Sequence, residues 1–446
     1  MRNLQINKKY LAITVALIAL SLIAYAAPSR NEQVRITYSY PATVCPASYN
    51  KAPAIAALPN PKVGRRVIEG KSQKFSSKAA SAITLGSASL LVDGNPGTAL
   101  TFSNNGWKAV VPCSVSNGEQ WFVGGSGALT SKSILSIVNS GFSGSSVEVE
   151  IFTPTGPIEV KPVAISSNST KNISIDTLAP GEDSLVIAVK TKSGRVSSFV
   201  FDERKRGLRS LGADFVAPVG APTKLLTIPA ISGLRGKLAT ASNSSTHSLR
   251  LMVPGTIDAN VEVSINSNDG KFVPVGLAEL EVKSQRVLNI PLTFVPPKEA
   301  FSIIVKSDQP ILGSVLSTYT IGRSGRSGEI AWATGVDELS RLAMNLTGSK
   351  PLVAFSGANI NVTIDAVGTN GKKYKVDVKG SNFAIWQAPI GLNRIQFVSR
   401  TKGTTGGIIL QPEGAGIGSS YIPLNTGANL ESASEPISDA DVISRG

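Results

Sequence analysis

One histidine, His247, and two cysteines, Cys45 and Cys113, stand in 446 residues, so the side chains behind most nucleophilic and metal chemistry are nearly missing. A Ser-His-Asp or Cys-His enzyme would have to use His247. That residue lies in the hydroxyl-rich stretch Ser242–Ser248, which reads as a polar loop with the imidazole on the surface. No H-E-x-x-H or histidine cluster is present, which removes the common zinc hydrolases. No G-x-S-x-G elbow occurs either, since Gly124-Gly125-Ser126-Gly127 and Gly141–Gly144 have other spacings. The glycine runs lack the lysine of a phosphate-binding loop, and Gly414–Gly418 does not match G-x-G-x-x-G. They read as turns, and no cofactor or metal is expected.

Aromatic residues make up only 6% of the chain, and after residue 30 no amphipathic run is long enough for a helix. Glycine, serine, valine, isoleucine and threonine are abundant instead, a mixture suited to short strands and many turns. One long uncharged run exists, Leu11–Ala27, preceded by Arg2, Lys8 and Lys9. A cationic flank before an apolar run directs export with the N-terminus inside. The run spans about 25 Å as a helix, enough for a retained single-pass anchor in the cytoplasmic membrane, which is the expectation. The alternative is a signal cleaved near Ala26, because Ala24-Tyr25-Ala26 has the A-x-A pattern. Either way the remainder works outside the membrane.

Export gives the two cysteines an oxidising setting, so a Cys45–Cys113 disulfide is expected. The formal charge of +14 would meet anionic envelope lipids and polymers. Nucleic acid is not an expected partner, since export and the lack of a recognised module both argue against it.

A repeat runs through the rest of the chain. Val147–Ile151, Val261–Ile265 and Val362–Ala366 are period-2 strands, each followed by a turn, at offsets of 114 and 101 residues. Later strand-like segments recur in the same order. Each unit closes on a glycine-rich excursion: Asp202–Phe215, Ile321–Trp332 and Pro412–Pro423. Each excursion is either a long hairpin or the crossing to the next module. The expected fold class is all-β, with tandem antiparallel Ig-like β-sandwich repeats after an N-terminal transmembrane or signal helix. The boundaries are 1–30 for the anchor or signal, 31–118 for a disulfide-tied β segment, 119–220, 221–335 and 336–425 for the repeats, and 426–446 for a disordered tail.

The best candidate binding feature is the cluster Arg204, Lys205, Arg206 and Arg209, with Arg323 and Arg326 at the matching place in the next repeat. Arginine suits bidentate capture of carboxylate or phosphate, so these could form a basic stripe across two modules. A solvated charged loop is the plain alternative. Glycoside hydrolysis needs only two carboxylates. Glu148 and Glu150 read as the wet face of a strand, and Glu182-Asp183 and Asp202-Glu203 as turn-like loops. Trp107, Trp121, Trp332 and Trp386 are expected in cores or between modules, with sugar stacking as the alternative. No catalytic residue is assigned. The reading is a non-enzymatic envelope protein displaying its modules to an anionic glycan or a partner protein. A carboxylate-dependent carbohydrate-active enzyme and a purely architectural spacer stand as alternatives.

Several features, taken in order, resemble a family of actinobacterial exported proteins of unknown function, DUF5719. They are Val44-Cys45-Pro46, Cys113 before Trp121–Gly125, Leu135–Asn139, Val147–Ile151, Leu178–Gly181, Ala217-Pro218 and Ile228-Pro229. The resemblance covers roughly residues 40 to 425 and implies an envelope location and β-sandwich repeats. It carries over no catalytic residue.

Overall fold

Alternating β-branched and polar residues give strands, and the computed structural model of the chain is built almost entirely from them. It describes residues 15–19, 38–39, 41–49, 51–58, 62–70, 74–93, 97–104, 107–158, 162–207, 209–233, 240, 243–297, 299–321, 327–410, 419–424 and 433–434. The chain divides into two bodies, Met1–Ser39 with Ser432–Gly446, and Tyr40–Glu431. In the first, residues 15–19 are helical and β1 (Tyr38–Ser39) pairs antiparallel with β32 (Ala433–Ser434). The rest of the expected anchor Leu11–Ala27, and nearly all of 426–446, lie outside the described residues. Among the described residues no helix is long and apolar enough to cross a membrane.

The larger body opens with β2 (Thr43–Cys45), β3 (Ala54–Ala57), β4 (Arg65–Ile68), β5 (Ala82–Leu85), β6 (Ser89–Val92), β7 (Ala99–Asn104) and β8 (Trp107–Pro112). They form two sheets, ordered β2-β6-β4 and β5-β3-β7-β8. The expected disulfide is present: Cys45 at the end of β2 is bonded to Cys113, just past β8.

Three sheet pairs follow. The first uses β9 (Glu119–Val123), β10 (Ile134–Asn139), β11 (Ser145–Thr153), β12 (Gly156–Ile158), β13 (Val163–Ile165), β14 (Ser169–Ser174), β15 (Val186–Ser193), β16 (Val196–Arg206) and β17 (Arg209–Val216). Its sheets run β14-β10-β16-β17 and β12-β11-β15-β9, with β13 also on β11. The second uses β18 (Thr223–Ser232), β19 (Ser244–Met252), β20 (Ala259–Ser267), β21 (Gly270–Phe272), β22 (Leu280–Val282), β23 (Val287–Leu292), β24 (Ala300–Ile321) and β25 (Ser327–Thr334). The third uses β26 (Leu342–Ser349), β27 (Leu352–Gly368), β28 (Lys373–Gln387), β29 (Leu392–Ser399), β30 (Thr405–Leu410) and β31 (Ser420–Pro423).

The same pairing order recurs in all three. β23-β19-β24-β25 reproduces β14-β10-β16-β17, using the C-terminal half of β24. The N-terminal half of β24 joins β20 and β18 as β15 joins β11 and β9. In the third pair β27 and β28 are each long enough to serve both sheets, changing sheet at a register shift between Gly357 and Ile360. The three repeated segments lie in β11, β20 and β27, each leading into an antiparallel hairpin.

Two loop expectations are corrected. Asp202-Glu203 lies inside β16, and of the two readings of Asp202–Phe215 the hairpin holds, closing at Arg206 and Arg209. His247 is not a surface loop residue. Ser244 already begins β19, and strand alternation turns the imidazole inward against the edge of Phe301, with Nδ1 2.9 Å from Ser317 Oγ. Its burial is 96% complete.

The cores do not respect the sequence boundaries. Val138, Phe199, Phe201 and Phe215 of the first sheet pair pack into the core around the disulfide. Trp332 and Ile330 of β25 complete the core of the first pair, while Leu352, Ala354 and Tyr421 of the third join the second. Ala99 and Val110 of the opening module sit in the core of the third pair.

Candidate functional site

The cluster centred on Arg204 folds into a buried seam between the first and second sheet pairs. Asp202, fully buried on β16, accepts hydrogen bonds from Ser131 Oγ (2.9 Å), Ser133 Oγ (2.7 Å), Arg204 Nε (2.9 Å) and Trp332 Nε1 (3.0 Å). Burial alone would push its carboxyl up, but the Arg204 cation and these donors outweigh burial and hold it below the usual carboxylate value. Arg204 also pairs with Asp183 at 2.9 Å. From β19 of the second pair, Arg250 reaches across to the carbonyls of Gly125 and Leu185 (both 3.1 Å) and Asp183 (3.2 Å). Its guanidinium sits 5.1 Å over the Trp332 ring. Burial, with Arg204 close by, lowers it to about 9.

Asp214, opposite Asp202 on β17, accepts from Trp332 N (2.9 Å) and Ser420 Oγ (2.7 Å), and Ser420 Oγ in turn accepts from Val110 N (2.9 Å). One aspartate thus binds all four modules of the larger body together. Burial pushes Asp214 up to about 8 and its neighbour Glu329 well above the usual range.

These contacts fix what the expected basic stripe can offer. Arg204 is spent on Asp202 and Asp183, and Lys205 lies 3.2 Å from Glu203. Arg206 is exposed at the hairpin end and Arg209 is half-buried on β17. Arg323 and Arg326 lie outside the described residues. Two of the carboxylates weighed for hydrolysis are held as well: Glu148 pairs with Lys192 at 2.6 Å and Glu150 with Lys190 at 2.7 Å. Trp107 and Trp332 are buried in cores, as expected, while Trp121 and Trp386 are half-buried. Among the described residues no group of three or more His, Cys, Asp or Glu side chains could hold a metal ion.

An open cleft of about 700 Å3 lies instead where the opening module meets the first sheet pair. Such a volume falls within the roughly 300–1,000 Å3 of small-ligand sites. Arg66 on β4 forms its floor, with Nη2 donating to Ser140 O at 2.8 Å and Nη1 donating to Asn168 Oδ1. Phe142 and Phe75 flank that guanidinium at 4.9 and 5.7 Å, yet both rings remain more than half exposed. Asn139, fully buried, shapes the turn that presents Phe142. Its side chain donates to Ser143 O (2.8 Å) and Ser166 O (3.0 Å) and accepts from Gly141 N (2.9 Å). Exposed Lys192 comes from the end of β15 and exposed Arg195 from the β15–β16 turn, Asn117 is hydrogen-bonded to Thr191 and Val196 beside them, and exposed Asp93 follows β6.

Sequence reasoning missed this cleft, since its parts come from segments as far apart as Arg66 and Arg195. One local signal was available: a phenylalanine between glycines in Gly141–Gly144, where a turn has no core to bury it.

The profile of a family of unknown function (DUF5719) matches residues 104–382, more than half of the chain. No curated protein matches. Among solved structures, a Thermotoga maritima protein is similar at 18% identity and a TM-score of 0.21, with 26% of this chain and 93% of that one covered. A tetra-tandem repeat from the extending region of a large adhesion protein is similar at 10% identity and a TM-score of 0.09, with coverages of 87% and 98%.

Proposed function

The chain belongs to DUF5719, a family of unknown function, so membership supplies no activity, and we propose that it is a non-enzymatic binding protein of the cell envelope. In this reading Leu11–Ala27 tethers it to the cytoplasmic membrane. The three sheet pairs are Ig-like sandwich repeats that form a rigid extracytoplasmic body, and that body holds an anionic glycan.

One contrast carries the proposal. Asp202, Glu148 and Glu150, three of the carboxylates weighed for hydrolysis, are engaged by internal donors, whereas the cleft turns Arg195 to solvent with no carboxylate partner among the described residues. A net charge of +14 adds long-range attraction to anionic polymers. The spacer reading has less support. Val110 and Gly97 of the opening module hydrogen-bond to Ser420 and Asn345 of the third sheet pair, a folding-back that shortens any reach.

The test is retention of the full-length protein on immobilised, protein-free envelope glycan at low and high salt. Salt-released retention that a neutral glycan column does not reproduce is expected. Passage through both columns would sink the reading.

A further inference from the structure

We propose that the cleft between β4 and the β15–β16 turn is a site for an acidic saccharide, with a sugar ring stacked on Phe142 and its acid group held by Arg195. The inference rests on the envelope-binding reading and adds the site, the ligand class and the residues that read it.

Three observations point to this chemistry. Phe142 is 60% exposed and Phe75 51%, although the buried Asn139 network fixes the turn carrying Phe142. A phenyl ring held rigidly in water presents a flat apolar surface at little entropic cost to binding. Phe142 belongs to none of the hydrophobic cores, and the Arg66 guanidinium lies 4.9 Å from its ring centre. Second, the surrounding wall is rich in short hydroxyl and amide groups, Ser116, Asn117, Ser140, Thr191 and Ser193, with one carboxylate, Asp93. Such groups donate to and accept from a polyhydroxylated ligand.

Third, the cations are graded. Arg66 is buried and engaged by Ser140 and Asn168, and Lys192 shares its charge with Glu148. Arg195 is exposed, and no carboxylate pairs with it among the described residues. It is therefore the cation placed to take a carboxylate or phosphate by a bidentate contact. The turn it stands on tolerates no looser sequence. Gly194 has φ +89°, and a Cβ there would meet Ser145 Oγ at 1.9 Å.

A linear acidic peptide would be read by a cluster of arginines, whereas the cleft lining offers Arg195 beside an Arg66 already engaged by Ser140 and Asn168. The mix of hydroxyls, amides and exposed rings favours a saccharide.

The experiment is calorimetric titration of the full-length protein with three probes: an oligogalacturonate, a glycerol-phosphate oligomer and a neutral oligogalactan. Binding of at least one acidic probe, about tenfold or more above the neutral one, is expected. Binding of the first alone identifies a carboxylate ligand, and binding of the second alone a phosphate ligand. Arg195→Ala should weaken the acidic probe about tenfold or more while leaving the neutral one unchanged. Phe142→Ala should weaken every probe that binds, at an unchanged melting temperature. If Phe142→Ala lowers the melting temperature, Phe142→Leu replaces it, keeping apolar bulk but removing the ring. Equal binding of neutral and acidic probes, or indifference to Arg195→Ala, overturns the proposal. If no probe binds but the protein is still retained on envelope glycan, the cleft assignment fails and the wider reading stands.

Discussion

Asp202 and Asp214 face each other across β16 and β17, both fully buried, and differ only in their partners. Arg204 holds the first below the usual carboxylate value, whereas burial, only partly offset by hydroxyl and amide donors, pushes the second up to about 8. An acid whose folded pKa lies above its unfolded one stabilises while protonated. The Asp214 contribution is therefore complete below 3.8 and is lost as the pH rises to about 8. His247, lowered by burial to about 4, acts with opposite sign: its contribution is present above 6.5 and lost as the pH falls to about 4. Denaturation followed from about pH 6.5 to pH 8, above the range in which His247 offsets the effect, should show wild-type stability falling toward alkali, and Asp214→Asn should flatten that fall. An unchanged slope in the variant would refute the assignment.

Gly212 tests the same seam sterically. Its φ is +111°, and a Cβ would lie 2.5 Å from Glu329 Cα. Gly212→Ala should cost about 3 kcal/mol, read as a lower denaturation midpoint at an unchanged slope. None of this was legible in Asp202–Phe215, because glycine and arginine there read as a wet excursion. The serines and the tryptophan that desolvate it lie as far away as Ser131 and Trp332.

At the scale of elements, period-2 alternation made Val147–Ile151, Val261–Ile265 and Val362–Ala366 readable as equivalent strands, and all three occupy the same place in their sheet pairs. The fusion of neighbouring strands was not readable. Ser193-Gly194-Arg195 breaks β15 from β16, whereas Ser307-Asp308-Gln309-Pro310, an equally good turn signal, runs straight through β24. Pairing to β20 before the tetrapeptide and to β19 after it holds the strand extended, so tertiary contacts override local preference. The cysteines were legible because an even count, read with the expected export, leaves few options. Replacing both by serine reopens a loop with a sequence separation of 68. The double variant should lose about 4 kcal/mol against the oxidised parent in chemical denaturation, and a loss below about 1 kcal/mol would mean that the Tyr49 and Phe102 core holds without the bridge.

Across the whole Tyr40–Glu431 body, the modules share cores instead of meeting at hinges. Arg250 donates to three carbonyls of the first sheet pair, Trp332 fills that pair's core, and Ser420 joins the third pair to both Asp214 and Val110. A bead-like chain of independent repeats would tolerate loss of its last member, since repeat stabilities and nearest-neighbour terms then add. Here removal of residues 336–425 would strip Leu352, Phe383, Ile409 and Tyr421 from the second pair's core and uncover Ala99 and Val110 of the opening module. It would also take a hydroxyl from the buried Asp214, leaving an acceptor without its donor. The full-length protein should therefore unfold in one transition, and the truncated one should bind a hydrophobic dye and melt broadly. A truncated protein with a sharp, unshifted melt would show that the shared cores contribute little and that the repeats are separable after all.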